Sequence, residues 1–170
     1  SNGFIVPLGH AILLSACQMR KKLLDEGVVS IRVAVNISLK QFQQEDFTDQ
    51  VIDILEVTGL EGRYLELEIT ESIAMDSPEI VIEKLNTLRA LDIHIAIDDF
   101  GMGYSSLNYL KRLPIQQLKI DRAFIQDIDL PNDYAIIKSI ISMAESLSLR
   151  VVAEGVETEL QLSVLRSLHC

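Results

Sequence analysis

The sequence predicts an α/β fold of the TIM-type (β/α) barrel class with about five parallel strands, on three observations. Strand-like and helix-like segments alternate along the chain. Each strand-like segment is apolar on one side only. The other side carries a carboxylate, amide or amine at the end of every strand. Alternation implies parallel pairing, because each helix returns the chain to the same edge of the sheet. The 170 residues, 48% hydrophobic and 24% charged, suffice for one core.

The elements follow in order. A helix over 8–25 carries Leu13, Leu14, Cys17, Leu23 and Leu24 at helical spacing, the buried stripe of a peripheral helix. A strand over 31–37 turns Ile31, Val33 and Val35 to one side and Ala34 and Asn36 to the other. A helix over 41–57 leads to a strand over 64–70, with Leu65, Leu67 and Ile69 opposed to Glu66 and Glu68. Ser77 and Pro78 read as the N-cap and first position of a helix over 77–91. The strand over 93–98 sets Ile93, Ile95 and Ile97 against Ala96 and Asp98. Gly101 and Gly103 suit a tight turn into a helix over 104–111. A strand over 116–120 opposes Leu118 and Ile120 to Gln117 and Lys119, and a helix over 133–148 follows it. The strand over 150–154 opposes Val151 and Ala153 to Val152 and Glu154. Thr158 and Gln161 form a capping box for the last helix, over 158–168.

An open sheet covered by helices on both faces would be apolar on both, whereas a barrel gathers inward residues at the C-terminal ends of its strands into one mouth. The polar face therefore favours the barrel. A closed barrel has eight strands in roughly 250 residues. The expectation is thus a partial domain over 1–170, with the opening strands and the last strand lying outside it.

The mouth would gather Asn36, Glu68, Asp98 with Asp99, Lys119 with Asp121, and Glu154. Carboxylates this close repel one another unless a cation intervenes, so a divalent metal is the natural compensation. A ligand set of oxygens without Cys or His points to Mg²⁺ or Mn²⁺. A bridging Asp would hold two ions, an arrangement suited to phosphodiester hydrolysis. Lys119 reads equally as an ion-pair partner of these carboxylates. His94, nearer the start of its strand, reads as a packing or pairing residue; His10 and His169 carry no signal.

Charge and cysteine usage narrow the partners. A net charge of −10 disfavours a duplex nucleic acid footprint, and an anionic substrate would need a bound cation. No apolar run is long enough to span a bilayer and no secretory signal begins the chain, so no membrane contact by this segment is expected. Cys17 and Cys170 lack ligand spacing and fit free thiols in a reducing cytoplasm, although the parent protein could be membrane-tethered.

Five stretches in order resemble the motifs of the EAL domain family: Val35-Asn36-Ile37-Ser38, Leu67-Glu68-Ile69-Thr70-Glu71-Ser72, residues 98–107, Leu118-Lys119-Ile120-Asp121 and Glu154-Gly155-Val156-Glu157-Thr158. The resemblance extends over 4–170. It implies a barrel whose first strand is antiparallel, and a phosphodiesterase that opens the bacterial second messenger cyclic-di-GMP to linear pGpG. It also implies two ions, Mg²⁺ or Mn²⁺, one held by Asn36, Glu68 and Asp98 and the other by Asp98, Asp99 and Glu154. Catalytic roles fall to Lys119, Glu154 and Asp99, with Lys119 touching the attacking water or a phosphate oxygen. Asp121 and Glu157 would orient these groups or line the substrate pocket, and Glu71 would anchor the loop after Asp98. Met102 departs from the smaller residue usual there. The family's Glu-Ala-Leu strand is expected before residue 1 and the eighth strand after Cys170, so activity is assigned to the intact protein and this segment alone is expected to be impaired. The alternatives are a degenerate EAL domain acting as a cyclic-di-GMP receptor or protein-interaction module, and another metal-dependent barrel acting on a different substrate. A homodimer through uncovered sheet edges, and an upstream sensory or GGDEF domain, complete the expected partners.

Overall fold

The computed structural model describes residues 3–101 and 107–170. Among them, five strands form one sheet: β1 (Val33–Ile37), β2 (Leu65–Thr70), β3 (His94–Phe100), β4 (Gln117–Ile120) and β5 (Arg150–Ala153). Their spatial order is β1-β2-β3-β4-β5 and every pair is parallel. A doubly wound sheet reverses its order at a switch point, so this sequential order is that of a barrel wall.

The period-two faces decide where the core sits. Val35, Leu65, Leu67, Ile69, Ile95, Ile97, Leu118 and Ile120 are buried on the outer face of the wall. They meet Leu13 and Cys17 of α1 (Ile5–Asp25), and Val51, Ile54 and Leu55 of α3 (Phe47–Thr58). Further along the wall the same cluster includes Val81, Leu85 and Leu88 of α5 (Pro78–Arg89), and Ile137 and Ile141 of α8 (Pro131–Ser146). Full burial of each such side chain is worth about 1.5–3 kcal/mol, which holds the helices against the sheet. The inner face instead buries Glu66, Glu68, Asp98 and Lys119.

Local chemistry sharpens the helix boundaries. The helix expected over 41–57 is two: α2 (Leu39–Phe42), opened by a Ser38–Gln41 capping box, and α3, which starts after Asp46. Two short helices were not expected, α4 (Glu71–Ala74) after β2 and α7 (Arg122–Gln126) after β4. In each, the residue that closes or follows the strand caps the helix: Thr70 accepts from Ile73 N and Asp121 from Ala123 N. Of the helix expected over 104–111, α6 (Leu107–Leu110) is described, and 104–106 lie outside the described residues. The Thr158–Gln161 capping box opens α9 (Glu159–Ser167).

Ser77 is the N-cap of α5 and Pro78 opens the helix, as expected, but Ser77 has a left-handed backbone (φ 38°) and its side chain makes no capping hydrogen bond. One expectation is corrected. The strand expected over 31–37 begins only at Val33, and Ile31 is exposed, because the chain ahead of it runs outside the hydrogen-bonded ladder.

Candidate functional site

The C-terminal ends of four strands meet around Lys119. Its Nζ lies 2.9 Å from Glu68 Oε1, 3.2 Å from Asp98 Oδ1 and 2.6 Å from Glu154 Oε1. The side chains of Lys119, Glu68 and Asp98 are 11%, 8% and 12% exposed, so these charges interact with little screening, while Glu154 at 35% closes the cluster toward solvent. Burial alone would lower the Lys119 pKa. The hydrogen bonds to Glu154, Glu68 and Asp98 outweigh it and hold the ammonium above the ordinary lysine range.

The backbone of β3 is irregular where the site forms. Ile97 pairs with Leu118 and Phe100 with Ile120, so Asp98 and Asp99 together oppose the single residue Lys119. This is a β-bulge, which re-aims side chains next to functional sites. Asp99 adopts φ 53°, and its amide donates to Asp98 Oδ1 at 3.1 Å. The following turn is held from a neighbouring helix: the buried Glu71 at the start of α4 accepts from Gly101 N through Oε2 at 3.1 Å. Gly101 sits at φ +105°, and a Cβ there would lie 2.7 Å from the Phe124 ring, so both backbone and packing require glycine.

Asp98, Asp99 and Glu154 each offer a carboxylate oxygen, and these oxygens lie within 4.8 Å of one another. The pKa of Asp99 is raised by burial, by a hydrogen bond with Asp121 and by the charges of Asp98, Asp121 and Glu154. One ammonium thus stands against Glu68, Asp98, Asp99 and Glu154, and negative charge remains to be balanced. A hard divalent cation bound by oxygens fits this donor set.

The other expected residues fall at distinct places. Asn36 is exposed near the end of β1, in register with Glu68. Asp121 lies between the site and α7, near enough to act on the Asp99 carboxyl, and accepts from Ala123 N at 2.7 Å. Glu157 is exposed in the turn before α9, and its N–H donates to Gln161 Oε1 at 2.7 Å. His94 lies at the entry to β3, paired in register with Glu66 and away from the carboxylates. Met102 and the rest of 102–106 lie outside the described residues.

Two residues placed by the sequence on a helix start and a strand face hold the site in position. Gln161 is buried; its Oε1 accepts from Glu157 N and Thr158 N, and its Nε2 donates to Ile125 O at 3.1 Å. It thereby ties the turn after Glu154 to α7. The Thr158–Gln161 capping pattern was its signal, read only as a helix start. Gln117 Nε2 donates to Glu66 Oε1 at 3.2 Å, satisfying a buried acid below the site. A glutamine alternating with apolar residues in a strand gave no hint of its partner.

The EAL domain family model matches residues 1–170. The cyclic di-GMP phosphodiesterase NbdA of Pseudomonas aeruginosa is 45% identical over 171 residues, covering 100% of this chain and 22% of that protein. The bifunctional diguanylate cyclase/cyclic di-GMP phosphodiesterase MucR of the same organism is 44% identical over 169 residues, covering 99% of this chain and 25% of that protein. The chain thus spans about a quarter of the length of these curated relatives. Among solved structures, the PaMucR phosphodiesterase in complex with c-di-GMP superposes with a TM-score of 0.96 at 44% identity, covering 99% of this chain and 68% of that one. The cAMP- and cyclic-di-GMP-bound EAL enzyme Bd1971 gives a TM-score of 0.92 at 36% identity, covering 99% and 47%.

Proposed function

This chain belongs to the EAL domain family, and we propose that it supplies the metal-binding wall of a phosphodiesterase that hydrolyses cyclic-di-GMP to linear pGpG. The observation that carries this reading is the convergence of Glu68, Asp98 and Glu154 on Lys119, with Asp99 brought alongside. The relatives named as cyclic di-GMP phosphodiesterases supply the substrate.

Asn36, Glu68 and Asp98 would hold one ion, and Asp98, Asp99 and Glu154 a second, with Mg²⁺ or Mn²⁺ matching the oxygen donors. Such ions supply an activated water and neutralise charge at phosphorus. The chain's own residues do the rest. Glu71 holds the Gly101 amide and so fixes the turn that leaves Asp98 and Asp99. Asp121 caps α7 beside the site through Ala123 N, and Gln161 holds the turn beyond Glu154. Lys119 supplies the one ammonium in the cluster, placed to bind a phosphate oxygen or the attacking water once the carboxylates are engaged elsewhere.

The test is direct. The protein carrying this chain is incubated with cyclic-di-GMP and Mg²⁺ or Mn²⁺, and the products are separated by chromatography. Appearance of pGpG that stops on chelation is expected; binding without turnover in either metal would favour the receptor reading, and neither binding nor turnover would overturn both.

A further inference from the structure

The opposite end of the sheet is basic. Ser30, Ile31, Arg32, Arg63, Tyr64 and Arg150, from the entries to β1, β2 and β5, line an open cavity of about 520 Å³, within the size range of small-ligand pockets. In a chain of net charge −10, three arginines in one cavity are a local reversal of sign. Their acidic partners do not balance them. Glu61 pairs with Arg63 at 2.8 Å, and Glu66, on the inner face, lies in the field of Arg32 and Arg150. Among the described residues, Arg150 makes no ion pair within 4.0 Å, and Arg32 spends its Nε on the Arg63 carbonyl at 3.0 Å.

Two more cations lie toward this end of the sheet. Arg89 Nη1 donates to Ile93 O at 3.0 Å, just ahead of β3. Arg20 of α1 is 1% exposed, donates from Nε to Ile31 O at 2.9 Å and lies 4.6 Å from the centre of the Tyr64 ring, so it touches two residues of the cavity wall. Its Nη1 and Nη2 are buried without a hydrogen-bond partner among the described residues. Unpaired buried donors are costly, and the two lie beneath the cavity wall rather than in it. The field is felt at His94, whose pKa is lowered by burial and by Arg32, Arg89 and Arg150.

We propose that this entry end of the sheet is a binding site for a small phosphate-bearing anion, gripped by the guanidinium groups of Arg32, Arg63 and Arg150. Planar guanidinium forks match phosphate oxygens in pairs, and Tyr64 and Ser30 complete the wall. Because the site uses none of the carboxylates around Lys119, it stands apart from the proposed phosphodiesterase centre.

The test is a titration of the ¹⁵N-labelled intact protein that carries this chain, in EDTA, which keeps metal from drawing phosphate to the acidic mouth. Inorganic pyrophosphate and a nucleoside diphosphate are added in separate arms, and sulfate in a third. Saturable shifts at the amides of Ser30, Arg32, Tyr64 and Arg150 are expected with pyrophosphate, stronger than with sulfate. Tighter binding of the nucleoside diphosphate would identify a nucleotide as the source of the phosphate, and equal binding a free phosphate compound. Arg32→Gln with Arg150→Gln should weaken binding about tenfold or more. Arg150→Lys, which keeps the charge and loses the fork, gives the same reading if the double variant does not fold. Shifts that spread over the surface, centre on Asp98, match sulfate in strength, or persist unchanged in the variants would overturn the proposal.

Discussion

The Lys119 ammonium sits 3.2 Å from Asp98 Oδ1 at the place where β3 carries one residue more than β4. The lysine is thereby set opposite Asp98 and Asp99 together, and its other contacts, to Glu68 and Glu154, make it the single cation shared by three strands' acids.

Lys119→Met should destabilise the metal-free protein by about 3–5 kcal/mol, because Glu68 and Asp98 would remain buried without a counter-charge. Urea unfolding in EDTA measures this, and Mn²⁺ should recover a larger part of the loss in the variant than it adds to the wild type. Equal stability of variant and wild type in EDTA would show that the ion pairs contribute nothing.

Asp98→Asn should reduce cyclic-di-GMP hydrolysis by the intact protein on the order of a hundredfold or more, since it weakens the carboxylate proposed to serve both ions. Its melting temperature in EDTA should change little by comparison. Near wild-type turnover would remove Asp98 from the site.

Asp99 predicts a pH dependence. The unfolded chain ionises it near 3.8, whereas the folded metal-free chain holds its proton to higher pH. Unfolding releases a proton in the window above 3.8, so this group lowers stability as pH rises through it. Asp99→Asn should therefore melt above the wild type at pH 7 in EDTA, with the gap closing as pH falls toward 3.8. A wild type that melts higher at pH 7 would contradict the raised pKa.

The two thiols should separate cleanly. Cys17 is fully buried in the α1–sheet core with its pKa pushed up to about 11, while Cys170 is exposed. A thiol reagent at pH 8 should label Cys170 in the folded protein and Cys17 only after denaturation. Rapid labelling of both would mean that α1 does not pack as described.

How much of this was legible in the sequence varies residue by residue. Glu68, Asp98, Lys119 and Glu154 could be placed together because alternation along a strand assigns a face, and polar ends on one face suggest a common mouth. Asp99 was gathered into the same mouth by its place at the strand end and by the family motif, whereas alternation alone turns it outward; the bulge is what sets it beside Asp98. The arginines of the entry end each stand singly near a strand start, Arg32, Arg63 and Arg150, and no spacing links them. The capping roles of Thr70 and Asp121 went unread because a single polar residue after a strand announces a short helix too weakly.

The sequence by itself determined the parallel α/β alternation, the apolar outer face and the residue types at the strand ends, because these rest on periods of two and 3.6 that act over a few residues. Only the tertiary structure decided which of those groups touch. Lys119 reaches Glu68, 51 residues earlier, and Glu154, 35 residues later, through the register between strands, the bulge in β3 and the curvature of the wall. Those are properties of pairing between distant segments, to which local periodicity is blind.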